Sequence, residues 1–389
     1  MSETSKRFLI VGSLLRPESL LTYKRQIEKR DDIQYPFYQD FEDYEAVEDA
    51  AVADIVKAQI AQGLPEITDG EFSKSLWHLD FVWGLSGVHR YIAEHGYFFR
   101  DYDQDSKYET RRDIGIEFKE RVCCDHHPFI QHYQRLEELA PEGVELKQCV
   151  PSPSHVYGEL GLMSKNVSGK VYASRDELKA DLTQAYKDFL NEFKKAGGKI
   201  VQFDDCLWEL FASDNHHSPF SGKNYDSEEV QNIAKEFIDL NNEIIAYAHD
   251  LGIKVYTHNC RGNYNSRNMA DGSYETIADL FLKSQNYDRF YLEWDDERAG
   301  NLTALKAFAD KPEAEVVLGF LSSKTTDLDD EARTLQLLQE ATQYVAKDKL
   351  YLSHQCGFAS CDNGNALTEA QQWAKIAQGQ KIARQFWGE

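Results

Sequence analysis

The stretch SEEVQNIAKEFIDLNNEIIAYAHDLGIKVYTHNC (227–260) decides the fold. Its first part repeats apolar residues at helical spacing, opens on two glutamates and stops at Gly252. The glutamates sit where the positive end of a helix dipole favours them. Its second part, KVYTHNC (254–260), is a short apolar, β-branched run that ends on polar side chains. Helix then short buried strand is the repeating unit of a parallel α/β sheet.

That unit recurs along the chain. Strand-like runs occur at FLIVGS (8–13), EITDGE (66–71), LKQCVPSP (146–153) and KIVQFDD (199–205). They continue with KVYTHNC (254–260), RFYLEW (289–294), EVVLGFLSS (315–323) and LYLSHQC (350–356). Amphipathic segments at 174–198 and 329–348 alternate with them. Eight parallel strands predict a closed (β/α)8 TIM barrel rather than an open sheet. Spacing after residue 250 is close to that of a bare strand–helix unit. Between the second and third strands, roughly residues 72–145, an aromatic and charged insertion is expected, serving as a lid, a subdomain or a contact in a homodimer. No Pro/Gly/Ser linker divides the chain, so residues 1–389 read as one domain.

Composition narrows the function. The chain has 389 residues, 42% hydrophobic, with 21 Phe, 21 Tyr and 6 Trp, which excludes a disordered chain. Its net charge of −23 repels phosphate backbones and anionic lipid heads, arguing against nucleic-acid and membrane-surface partners. No run approaches the length of a membrane span, and MSETSKRFLIVGSLLRP does not read as a signal peptide, so the expected location is cytoplasmic. The cysteines number seven, and an odd count in a reducing compartment points to core residues, nucleophiles or metal ligands.

In a barrel of this kind the chemistry sits at the C-terminal ends of the strands. Here those ends supply Ser13, Glu71, Asp204, Asp205, His258, Cys260, Glu293 and Cys356. Strand residues i and i+2 face the same side, so His258 and Cys260 can share one ion. Glu293 and Cys356 complete a four-ligand set of nitrogen, oxygen and two sulfurs, which suits Zn²⁺. Two thiolates and a carboxylate carry −3, leaving −1 with the ion, and Glu293 is the ligand expected to yield to an incoming thiol. The run Cys123-Cys124-Asp125-His126-His127 also has metal-binding residue types, but its place in the insertion reads as a buried Cys pair with surface His. Cys149, Cys206 and Cys361 read as packing.

These motifs resemble the catalytic barrel of the cobalamin-independent methionine synthase family, in a short single-barrel form. THNC (257–260), YLEW with Glu293, and HQCG with Cys356-Gly357 match the family's zinc-binding steps. VGS, with Gly12 and Ser13, matches its homocysteine-contacting opening, DGE its ammonium-binding Glu as Glu71, and QFDD its substrate-binding Asp as Asp204. The resemblance implies a zinc enzyme that methylates homocysteine to methionine, with methyltetrahydrofolate or a methylcorrinoid as donor.

Two features depart from the family. The full-size enzymes carry a further N-terminal barrel that helps bind the folate tail. The family's Asp-x-His proton donor on the seventh loop is replaced by GFLSSKTTD, which offers Ser322, Lys324 and Asp327, with His354 on the last loop as a substitute. A tertiary-amine donor needs such an acid, whereas a methylcorrinoid does not. Trp77, Phe81 and Trp83 are candidates to cover a flat ring. Rival readings are alkyl transfer to another thiol such as coenzyme M, a zinc hydrolase or lyase on the same barrel, and a redox-sensing protein. Two thiolates favour thiol alkylation over water activation.

Overall fold

The computed structural model describes residues 5–100, 107–160, 171–212 and 228–389. Its strands are β1 (Glu66–Ile67), β2 (Ser86–Tyr91), β3 (Phe98–Arg100), β4 (Lys107–Glu109), β5 (Gly115–Cys123) and β6 (Glu145–Leu146). They continue as β7 (Gln148–Pro151), β8 (Ile200–Asp204), β9 (Lys254–Asn259), β10 (Arg289–Glu293), β11 (Glu315–Leu321) and β12 (Leu350–His354). Strands β7 to β12 form one parallel sheet in chain order. β6 leads into β7 through Lys147 and pairs in parallel with β1.

Helices Arg175–Lys195, Glu228–Asp250 and Glu331–Ala341 make the crossovers, and Glu369–Trp387 follows β12. Their ends carry ordinary stop and start chemistry. The Ser174 hydroxyl accepts from the Glu177 amide, and Thr368 with Gln371 forms a reciprocal capping box.

Both faces of the strands are buried, as parallel sheets require. On one side Val201, Phe203, Phe290 and Leu318 pack with Phe189, Phe237 and Ile382 of the helices. On the other, Leu9, Val11, Ile200, Tyr256, Tyr291 and Val317 form an inner layer. Polar side chains cross that interior: Glu66 of β1 meets Arg289 of β10 at 2.7 Å and Lys147 at 2.8 Å.

The α/β fold and its parallel sheet are as expected, but ladder pairing does not close a ring of eight. The run 8–13 makes only a bridge from Phe8 to Leu352, and the second strand shortens to two residues. The reason lies in who takes the backbone acceptors of that first run. The Ile10 carbonyl accepts from Lys147 Nζ, Val11 from Gln202 Nε2, and Gly12 from Thr68 Oγ1. Side chains of neighbouring strands thus occupy sites a ladder would use.

The insertion holds a helix (Leu79–Trp83), the antiparallel pairs β2/β5 and β3/β4, and a helix (Pro128–Leu139). His127 is structural: its Nδ1 caps the Phe129 amide and its Nε2 donates to the Phe81 carbonyl. Contrary to the reading of a buried Cys pair with surface His, Cys123 is exposed and His127 is buried. The extended end of β5 leaves Cys123 outward, and the cap draws the ring inward. Among the described residues no helix is long and apolar enough to cross a membrane.

Candidate active site

Parallel register sets the functional side chains side by side. Asp204 lies opposite His258, and His258 opposite Tyr291. Cys260 follows β9 directly, and Cys356 stands two residues past β12. Asp204, His258, Cys260 and Cys356 border one cavity of about 580 Å³, also lined by Ser13, Glu71, Trp77, His78, Tyr97, His155, Glu159, Cys206 and Glu209.

The ligand atoms of His258, Cys260 and Cys356 lie within 4.8 Å of one another, and all three residues are buried. His258 Nδ1 is 3.2 Å from the Tyr291 carbonyl oxygen. A carbonyl only accepts, so Nδ1 carries the proton and Nε2 keeps a bare lone pair. That Nε2 is buried and has no hydrogen-bond partner among the described residues. An imidazole oriented by a carbonyl, with two thiols beside it, would suit a zinc ion.

Cys260 is pushed well above the ordinary thiol range, foremost by its contact with Cys206 and further by burial. Cys356 is pushed up by its contact with Cys260 and by burial. Buried neighbouring sulfurs cannot all be thiolates unless a dication offsets them.

Glu293 stands outside this group of three. Its Oε2 accepts from the Arg261 amide at 2.6 Å, and its Oε1 faces Arg298 at 3.2 Å and Lys324 Nζ at 3.5 Å. To reach the ion the carboxylate would have to leave these partners. Cys206, read from sequence as packing, instead places its sulfur 3.1 Å from that of Cys260. The signal was available: it directly follows the Asp204-Asp205 strand end.

A second group joins Glu71, Cys149 and Asp204 within 4.8 Å. Glu71 holds a positive φ of 59°, rare for a side chain of this size, and its amide is fixed by Asp69. Gly12 makes room for it, since a Cβ there would stand 2.8 Å from Glu71 Oε1. Asp204 is pushed up to about 8, first by burial and then by the charge of Glu71. Asp205 is already engaged: Ser154 Oγ, Trp208 Nε1 and Asn241 Nδ2 all donate to its Oδ2. Ser13 Oγ accepts from the Ala359 amide, tying the first run to the last loop.

The expected acids lie elsewhere. Ser322, Lys324 and His354 are buried and do not line the cavity, and Asp327 is exposed. His354 packs edge-on to Phe8 and Phe358. Burial, with Lys375 nearby, lowers it to about 3, so it is neutral near pH 7. The unfolded chain protonates this histidine near its ordinary value of about 6.5, while the folded chain resists until about 3. Its contribution is therefore complete above about pH 6.5 and lost as pH falls towards 3, by about 1.4 kcal/mol per pH unit. Denaturant titrations from pH 6.5 to 4 should show wild type losing that much more per unit than His354→Gln. Parallel curves would refute the assignment.

Sequence reasoning also missed Glu209. It lines the cavity, is buried, and neither carboxylate oxygen has a hydrogen bond among the described residues, though Arg261 Nε lies 3.4 Å away. Burial raises it to about 7. Of the aromatic trio, Trp77 lines the cavity. Phe81 packs among His127, Phe129 and Tyr186, and Trp83 Nε1 donates to the Gly115 carbonyl, so both belong to the insertion core.

Comparison with known proteins places the chain in a family. The model of the cobalamin-independent synthase catalytic domain matches residues 168–378, more than half of the chain. The uncharacterized Bacillus subtilis proteins YxjH and YxjG are 34% and 31% identical, over 88% and 97% of this chain and 86% and 93% of their own lengths. A Listeria monocytogenes structure assigned to vitamin-B12-independent methionine synthase superposes with a TM-score of 0.67 at 25% identity, covering 98% of this chain and 97% of that one. A B12-independent methionine synthase from Shewanella sp. W3-18-1 shares the fold, with a TM-score of 0.65 at 18% identity and 98% coverage of both chains. By its catalytic domain, the chain belongs to the cobalamin-independent methionine synthase family.

Proposed function

We propose that this protein is a zinc-dependent S-methyltransferase that converts homocysteine to methionine. The observation that carries the reading is the convergence of His258, Cys260 and Cys356, with a bare imidazole lone pair, on a cavity that also presents Glu71 and Asp204. His258, Cys260 and Cys356 would hold the ion, with Glu293 the fourth ligand on a change of partners. Zinc supplies a lowered thiol pKa, so that the acceptor sulfur is a thiolate near neutral pH. Glu71 and Asp204 receive the amino acid's ammonium, and Ser13 lies at the same wall to orient its carboxylate.

In the transfer step the acceptor sulfur forms the S–CH₃ bond as the methyl–donor bond breaks. With methyltetrahydrofolate the bonding pair goes to a ring nitrogen, which leaves only when protonated. We assign that proton to Glu209, a carboxylic acid on the cavity wall that burial raises towards neutrality and that the ammonium site does not use. Glu209→Gln should lower turnover by about 10²-fold with methyltetrahydrofolate, within the usual range for a general acid. Wild-type turnover should fall as pH rises above about 7, where the acid form is lost. With methylcobalamin, whose leaving group needs no proton, neither effect should appear. Equal loss with both donors would show Glu209 to be structural.

Methionine formation from homocysteine, with the two donors tested side by side, checks the function as a whole. Product from either supports it and names the donor. Zinc bound but no methionine with either donor would overturn homocysteine as the acceptor.

A further inference from the structure

The cavity carries a second set of donor atoms that methyl transfer does not use. His78 stands just ahead of the helix Leu79–Trp83 of the insertion, while His155 and Glu159 lie four residues apart after β7. Residues four apart on a helical turn share a face, so both point the same way. His78 Nε2 is 3.2 Å from Glu159 Oε2, and His155 Nε2 is 3.7 Å from the same oxygen. The ligand atoms of all three residues lie within 4.8 Å of one another.

His78 Nε2 meets Glu159 Oε2 and lies 3.3 Å from the Tyr97 hydroxyl, but the other nitrogen of each imidazole, Nδ1 of His78 and Nδ1 of His155, is buried and has no hydrogen-bond partner among the described residues. The Trp77 ring lies 4.5 Å from the imidazole of His78 and 4.9 Å from that of His155, setting their planes by packing. Tyr97 donates to Glu159 Oε1 and leaves Oε2 turned to the two imidazoles. Two histidine nitrogens and a carboxylate oxygen, close together and from two separate chain segments, make a two-histidine, one-carboxylate donor set of the kind that suits a divalent transition ion.

We propose that His78, His155 and Glu159 form a second metal site on the wall of this cavity, for a divalent transition ion. The donor set is harder than the thiol group of Cys260 and Cys356, so the two sites differ in preference, the second favouring Zn²⁺, Fe²⁺ or Mn²⁺ over soft ions. Two neutral imidazoles and one carboxylate carry −1, which leaves +1 with the ion and room for an oxygen ligand from the cavity. The site therefore selects for a cavity ligand bearing a carbonyl, carboxylate or phosphate oxygen.

Co²⁺ added to the demetallated full chain is the probe, since sulfur coordination gives an intense charge-transfer band and nitrogen–oxygen coordination does not. Wild type should bind two equivalents. His155→Gln and Glu159→Gln should each bind one and keep the charge-transfer band, which also reports that the variant is folded. Cys356→Ser should weaken the band and keep the equivalent held by the second site. One equivalent in wild type that carries the charge-transfer band, or a second that survives both His155→Gln and Glu159→Gln, would overturn the proposal. A wild type with bound Co²⁺ but no charge-transfer band would instead refute the thiolate site, so the two assignments fail separately.

Discussion

Cys356→Ser should cost the protein its sulfur-bound zinc and lower methyl transfer on the order of 10³-fold, about 4 kcal/mol of barrier. The size follows from what the site must do. A free thiol of pKa about 8.5 is only a few per cent thiolate at pH 7, and its attack on an unactivated methyl group is slow. The three donor atoms of His258, Cys260 and Cys356 converge on one point, so removing one leaves two ligands and a carboxylate, Glu293, already bound to Arg261, Arg298 and Lys324. Metal content and methionine formation are measured on the same preparation. Cys124→Ser is the control, because Cys124 is buried in the insertion and its thiol, pushed up to about 12 mainly by burial, takes no part in the cluster. Full zinc and full activity in Cys356→Ser would refute the ligand assignment. Cys206→Ser separates a further possibility: if the sulfur 3.1 Å from Cys260 serves as a ligand, zinc affinity drops in this variant as well.

Much of this site was legible because ligands on strand ends obey simple geometry. His258 lies on β9 with Cys260 two residues on, just past its end, and Cys356 lies just past β12 at the same end of the parallel sheet, so period-two alternation and a common strand direction set all three on one rim. The helices at 174–198, 227–252 and 329–348 were legible because the helical spacing of apolar residues is local. What stayed hidden depends on contacts far apart in sequence. Nothing near FLIVGS tells that Lys147, Gln202 and Thr68 will occupy its carbonyls in place of a ladder. Nothing near Ser322, Lys324 or His354 shows that they are buried away from the cavity, because that depends on Asp329, Glu293 and Phe358. Glu209 and the His78–His155–Glu159 cluster were invisible for the same reason: their meaning comes from a cavity that the insertion and several strand ends build together.

Asp204→Asn should raise the KM for homocysteine by about 10²-fold while changing kcat far less, matching the loss of about 3 kcal/mol for one buried charge-assisted partner. Glu71 and Asp204 are both buried and their carboxylates lie within 4.8 Å of each other, with Lys74 Nζ 3.5 Å from Glu71. Two such carboxylates cannot both ionise cheaply, and the pair keeps a proton until about pH 8, assigned here to Asp204. An arriving ammonium reverses that balance, so binding at pH 7 should expel a proton. Below about pH 8 that release costs affinity, up to tenfold per pH unit; above it, affinity levels off. Calorimetric titration with methionine, a stable ligand carrying the same ammonium and carboxylate, in two buffers of different ionisation enthalpy counts the proton directly. Wild type should release close to one proton at pH 7 and Asp204→Asn none, with weaker binding. Glu71→Gln should also bind weakly. Equal affinity in Asp204→Asn, with no proton released by wild type, would place the ammonium away from this pair and leave the two carboxylates as part of the fold.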